Sequence, residues 1–105
     1  MKRDILKTEI KRIEDLLILK NNKYGDSFYK SLDKNGSKAL TIRLEDKINR
    51  MENLFDNSDW GTEDESVLDT ITDIAGYCIL YLTYKKEDAE RNNNKSFFGY
   101  DINKL

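Results

Sequence analysis

Apolar residues return every three or four positions through most of this chain, and no proline interrupts them. That period is the repeat of an α-helix with one apolar stripe, and without proline long helices run unbroken. Leu6, Ile10, Ile13 and Leu17 form the first stripe, widened by Ile5 and Leu16, which predicts a helix over about 4–20. The run Asn21-Asn22-Lys23-Tyr24-Gly25-Asp26 then reads as a turn that tolerates positive φ, with a short helix through Phe28, Tyr29 and Leu32 after it. Asn35-Gly36-Ser37 is a second break. Beyond it Leu40, Leu44, Ile48, Met51 and Phe55 predict a helix over about 38–55. Asn57-Ser58-Asp59-Trp60-Gly61 reads as a loop, and Thr62 with Glu65 three residues later has the form of a capping box. Val67, Ile71, Ile74, Cys78 and Leu82 carry the longest helix to about Lys85. It is apolar on most sides after Ala75, which suits a central helix or a subunit interface.

The fold class that follows is all-α: a bundle of three main helices with a short helix between the first two. A chain of 105 residues has room for one domain, which we place at residues 1–88. Residues 89–105 read as an Asn-rich linker, Asn92-Asn93-Asn94, leading to an aromatic C-terminal arm, Phe97-Phe98-Gly99-Tyr100, that should pack on its own bundle or on a neighbouring subunit. The apolar share is 38% against a charged share of 36%, a balance that favours a homo-oligomer completing its core between subunits.

Charge and residue type exclude several kinds of chemistry. The net charge is −2 with acids and bases interspersed, so no basic field exists to hold duplex nucleic acid. Stretches of 18 apolar residues are absent, and Met1-Lys2-Arg3-Asp4 leads into a charged helix rather than a signal-peptide core, so the cytoplasm is expected and no membrane. With no histidine, Ser-His and Cys-His nucleophile pairs and most zinc sites are out of reach. Cys78, the single cysteine, has no internal disulfide partner and sits among Ile74, Ala75, Ile79 and Leu82 as a core residue. Any metal would be a hard cation held by carboxylates.

Three polar constellations stand out. Glu65, Asp69 and Asp73 fall at spacings of four and stack along one helix face, where like charges repel unless a Mg²⁺ ion or basic partners compensate them. Arg43, Lys47 and Arg50, with Asp46 among them, make a basic ladder on the preceding helix. Set against the acids, that ladder gives either an ion-pair network or a phosphate clamp. Lys23-Tyr24-Gly25-Asp26 joins a cation, an aromatic plate, a flexible backbone and an acid in one turn, where a nucleobase would stack on Tyr24 or where Tyr24 simply packs on the bundle.

In order, Lys20-Asn21-Asn22-Lys23-Tyr24-Gly25-Asp26-Ser27-Phe28, Arg43-Leu44-Glu45-Asp46-Lys47-Ile48-Asn49-Arg50 and the stretch from Asp64 to Tyr77 resemble nucleotide modification associated domain 1. That family is found mostly in phage and bacterial proteins, and the likeness covers about residues 5–85. It implies a link to nucleotides; a phage binder of this sort would sequester a nucleotide defence signal or equally sense a nucleotide pool within a modification pathway. A weaker resemblance is to the all-α nucleoside triphosphate pyrophosphatases of the MazG and dimeric dUTPase type. Those enzymes pair E-x-x-E on one helix with E-x-x-D on the next, whereas this chain places Asp46 among three bases.

Two functional readings follow. In a binder, Arg43, Lys47 and Arg50 grip phosphates, Lys23, Tyr24 and Asp26 meet the nucleoside, and Asp69 and Asp73 orient the arginines or meet ribose hydroxyls. In a hydrolase, Asp46, Glu65, Asp69 and Asp73 hold Mg²⁺ for cleavage between the α and β phosphorus atoms of a nucleoside triphosphate. A helical scaffold with no ligand is the third possibility.

Overall fold

A computed structural model describes residues 1–56 and 65–92. Among them the chain forms four helices and no strand: α1 (Arg3–Tyr24), α2 (Ser27–Asn35), α3 (Lys38–Asp56) and α4 (Glu65–Arg91). The all-α bundle read from the spacing is the observed architecture. The loop expected at 57–61, the capping residue Thr62 and the aromatic arm lie outside the described residues.

Two helices run longer than the spacing predicts. α1 passes through Asn21-Asn22 and stops only at Gly25, whose φ of 68° and ψ of −164° lie in a region essentially reserved for glycine. The Gly25 N–H donates to the Asn21 carbonyl at 2.8 Å, closing the helix. Asparagine is only a mildly poor helix former, so the glycine rather than the paired Asn sets the end. Gly36 ends α2 in the same way, with φ 67° and its N–H donating to Leu32 O at 2.8 Å. α4 continues past Lys85 and past the expected domain boundary at 88, and Ala89 is buried. The charged run from Lys85 to Arg91 holds no helix breaker, so residues 89–91 belong to the helical body.

α3 and α4 form an antiparallel hairpin, because residues ascending α3 meet residues descending α4. Arg43 reaches Tyr77 and Lys47 reaches Asp73. α2 plugs the Ala39 end of that hairpin. Phe28, Leu32 and Ala39 are buried there, surrounded by Tyr29, Leu40, Tyr77, Leu80, Tyr81 and Tyr84. Phe28 meets Tyr77 edge-on at 5.1 Å between centroids, and Tyr29 meets Tyr84 in the same way at 5.1 Å. The Tyr84 hydroxyl donates to Asp33 Oδ1 at 2.6 Å and ties the end of α2 to α4.

α1 is held differently, for it buries no residue of its own. It lies close against α4 at Gly76, where an added Cβ would lie 3.1 Å from Leu17 Cδ2, so the missing side chain makes room for Leu17. Arg12 Nη2 donates to Thr72 Oγ1 at 3.0 Å, and Thr72 donates in turn to Leu68 O at 2.9 Å. Along its wet face α1 carries its own ion pairs, Lys11 to Glu14 and Asp15 and Arg12 to Glu9, all exposed and screened by solvent.

Candidate functional site

A cleft of about 700 Å³ lies between α1, α2, α3 and α4. Such a volume is in the range of small-molecule sites. Its inner wall is apolar and aromatic, made by Ile13, Leu16 and Leu17 of α1, Phe28 of α2, and Tyr77 and Leu80 of α4. Its rim is charged, with Lys20 from α1, Arg43 and Lys47 from α3, and Asp73 from α4. The turn from Asn21 to Ser27 closes one end. With its amide nitrogen turned toward them, Asn21 donates to Gly25 O at 3.3 Å and to Asp26 Oδ1 at 2.5 Å, which fixes that turn.

Asp73 is the electrostatic centre. Lys20 Nζ lies 3.2 Å from Oδ1 and Lys47 Nζ lies 3.1 Å from Oδ2, so one carboxylate draws in two ammonium groups from two different helices. Partial burial pushes its pKa up, but the bonds from Lys47 and Lys20 outweigh burial and leave it below the ordinary carboxylate range. Arg43 is held beside them by Tyr77. Its Nη1 lies 3.4 Å from the Tyr77 hydroxyl, and its guanidinium carbon sits 5.7 Å from the ring centroid. The result is a slot lined by three cations, Lys20, Arg43 and Lys47, and three carboxylates, Asp26, Asp73 and Glu87.

The residues singled out from sequence divide between this cleft and a neighbouring groove. Tyr24, Asp26, Arg43, Lys47 and Asp73 line the cleft. Asp46 and Arg50 line the second groove, which shares Arg43, Lys47 and Tyr77 with the first. Lys23 and Asp69 line neither; both are exposed, on the last turn of α1 and on α4. Glu65 is the first residue of α4. Among the described residues no three His, Cys, Asp or Glu side chains gather as a metal site would require. Asp73 orients lysines rather than the arginines expected of it, since Lys20 and not Arg50 approaches it.

Sequence reasoning missed Lys20, Arg12, Thr72 and Tyr77. Tyr77 was within reach, because it lies four residues after Asp73 and therefore on the same face of α4. Lys20 gave no such signal: its role depends on which flank of the hairpin α1 occupies, and spacing within α1 does not encode that. Tyr24, expected to be the stacking plate, is 69% exposed at the cleft mouth, whereas Tyr77 is half-buried in its wall.

The chain matches no protein-family model, no curated protein and no solved structure. Its function is therefore argued from the cleft itself. No helix among the described residues is long and apolar enough to cross a membrane.

Proposed function

We propose that the cleft binds a phosphorylated nucleotide and does not hydrolyse it. The observation that carries this reading is the convergence of Lys20, Arg43 and Lys47 at the rim of a slot walled by Leu17, Phe28, Tyr77 and Leu80. A nucleotide has the matching two-part chemistry, a flat, largely apolar base and a compact anion. The base enters beside Tyr77, and the phosphate oxygens take the cations, with Arg43 offering two parallel donors and the lysines acting as point charges. Asp73 holds the lysines ready while the site is empty and gives them up to the stronger anion. That exchange is the reason for favouring a binder: Asp73, one of three acids lining the cleft with Asp26 and Glu87, already serves the cations, and Asp46 opens on the other groove. In a phage setting such a protein would sequester a nucleotide signal.

The test is calorimetric titration of the purified chain with nucleoside mono-, di- and triphosphates and with cyclic nucleotides, in Mg²⁺ and in chelator. Binding should persist in chelator, and the nucleotide should be recovered intact. Removing a charged partner costs about 1.5–3 kcal/mol, so Lys47→Ala and Arg43→Ala should each weaken binding about tenfold or more, with circular dichroism unchanged. Pyrophosphate released only with Mg²⁺ would establish the hydrolase instead. No binding to any member of the panel would leave the scaffold.

A further inference from the structure

The cleft is polarised along its length. Lys20, Arg43 and Lys47 gather at the level of Asp73 and Tyr77 on α4. The two other acids that line it, Asp26 and Glu87, meet at Tyr29, whose hydroxyl lies in the field of both and donates to Glu87. Tyr29 packs edge-on against Tyr84, so this pair of acids belongs to the end of the cleft that α2 closes. Glu87 lies ten residues beyond Tyr77, about 15 Å further along α4 at 1.5 Å per residue, and Leu80 lines the wall between the two levels. An anion is drawn to the first end and repelled from the second. A nucleotide therefore has one way to lie, with its phosphates toward Arg43 and Lys47 and the outer edge of its base toward Tyr29 and Glu87.

We propose that Glu87 selects the base of the bound nucleotide and that the base it selects is guanine, an assignment that rests on the nucleotide-binding reading of the cleft. An ionised carboxylate only accepts hydrogen bonds, through two oxygens with about four lone-pair sites between them. Guanine alone among the common bases presents two adjacent donors on its pairing edge. Its N1–H and its N2 amino group meet the two oxygens of one carboxylate as a parallel pair. Adenine and cytosine set a single amino group beside a bare ring nitrogen, and uracil sets one N–H between two carbonyls, so each of these turns a lone pair toward the carboxylate. Tyr29 takes one acceptor site and holds Glu87 in place, which leaves the others for the ligand. The neighbouring charges are already engaged: Arg91 pairs with Asp88 at 3.2 Å, and Asp26 Oδ1 accepts from the Asn21 amide. Because Glu87 is exposed, its discrimination is that of a charged hydrogen bond at the cleft mouth, about tenfold rather than the far larger factor of a sealed pocket.

Calorimetric titration with the triphosphates of guanosine, inosine, adenosine, cytidine and uridine, in chelator, on the wild-type chain and on Glu87→Gln, tests the assignment. The guanine nucleotide should bind about tenfold more tightly than those of adenine, cytosine and uracil. Inosine, which keeps N1–H and lacks the amino group, should fall between. Glu87→Gln keeps the shape of the side chain and exchanges one acceptor for a donor, so it should bring the guanine nucleotide down to the level of the others without weakening them. Circular dichroism should be unchanged, because the side chain is exposed. Equal affinity for all five, tighter binding of any other base, or a guanine preference that survives in Glu87→Gln would overturn the assignment while leaving the cleft a nucleotide site. Failure of every triphosphate to bind the wild-type chain would overturn both.

Discussion

Replacing Asp73 by Asn separates a carboxylate that competes with the ligand from one that helps to bind it. The side chain keeps its size and loses its charge, so Lys20 and Lys47, at 3.2 and 3.1 Å, lose their common partner. The three side chains remain 47%, 30% and 25% exposed for Lys20, Lys47 and Asp73, so solvent screens the pairs. Pairs of this kind contribute about 0.2–1 kcal/mol each, and together about 1 kcal/mol. Asp73→Asn should therefore lower unfolding stability at pH 7 by about that amount, measured by urea denaturation at low salt. The pH dependence has a definite sign. A carboxyl group whose folded pKa is depressed contributes stability that is fully present above its unfolded value of about 3.9 and is lost as pH falls through the folded value. The gap between wild type and variant should be full at neutral pH, begin to close near pH 4, and vanish below the lowered pKa of Asp73. Affinity should move the other way. If phosphates must draw the lysines from Asp73, removing that competitor returns about 1 kcal/mol, or about fivefold tighter nucleotide binding by calorimetry. Weaker binding by the Asn variant would refute the reasoning, for then Asp73 contacts the ligand or a metal on its behalf.

Other perturbations test the frame around the cleft. Phe28→Ala removes a ring that is 7% exposed and packed edge-on to Tyr77, and it should cost about 3–5 kcal/mol in urea unfolding; a loss under 1 kcal/mol would mean that α2 does not plug the hairpin. Gly25→Ala forces a Cβ into a backbone region essentially closed to it, so a stability loss of about 1–3 kcal/mol is expected even though open space surrounds the position. Gly76→Leu should push Leu17 and with it α1 away from α4, abolishing nucleotide binding while leaving most of the helical circular dichroism. The Tyr29 pKa is pushed up to about 12, first by burial and then by Glu87 and Asp26, and the hydrogen bond to Asp33 raises that of Tyr84, so ultraviolet titration should show late-titrating tyrosines and Tyr29→Phe should remove one of them.

The parts legible in the sequence were those fixed by local chemistry. The spacing of Leu40, Leu44 and Ile48 gave α3 because period 3.6 is a property of a single helix and needs no neighbour. The second break, at Gly36, was legible because a positive φ is costly for other residues. The end of α1 was misplaced for a related reason: Asn21-Asn22 and Gly25 are all turn formers, and only the backbone shows that Gly25 makes the turn. Of the candidate site, Arg43, Lys47 and Asp73 could be named because each ladder occupies one face of one helix. What remained hidden was which ladders meet. The acids at 65, 69 and 73 share a helix, yet Asp73 turns to lysines on α1 and α3 while Asp69 stays at the surface near Arg12. Spacing fixes the angle of a residue about its own axis. Which neighbour fills that angle is decided by how three helices pack.

That distinction explains why Gly76 matters more than its lack of a side chain suggests. A larger residue there would hold α1 off the hairpin, and Lys20 would no longer reach Asp73. The approach at Leu17 brings Lys20, three residues further along α1, up to the carboxylate that also holds Lys47. α1 buries no residue fully against the bundle and is joined to α4 by Leu17 against Gly76, by Arg12 to Thr72 and by Lys20 to Asp73. These few contacts of a helix that buries no residue of its own thus supply both features that the proposed ligand requires: cations from separate helices brought to one place, and an apolar slot beside them.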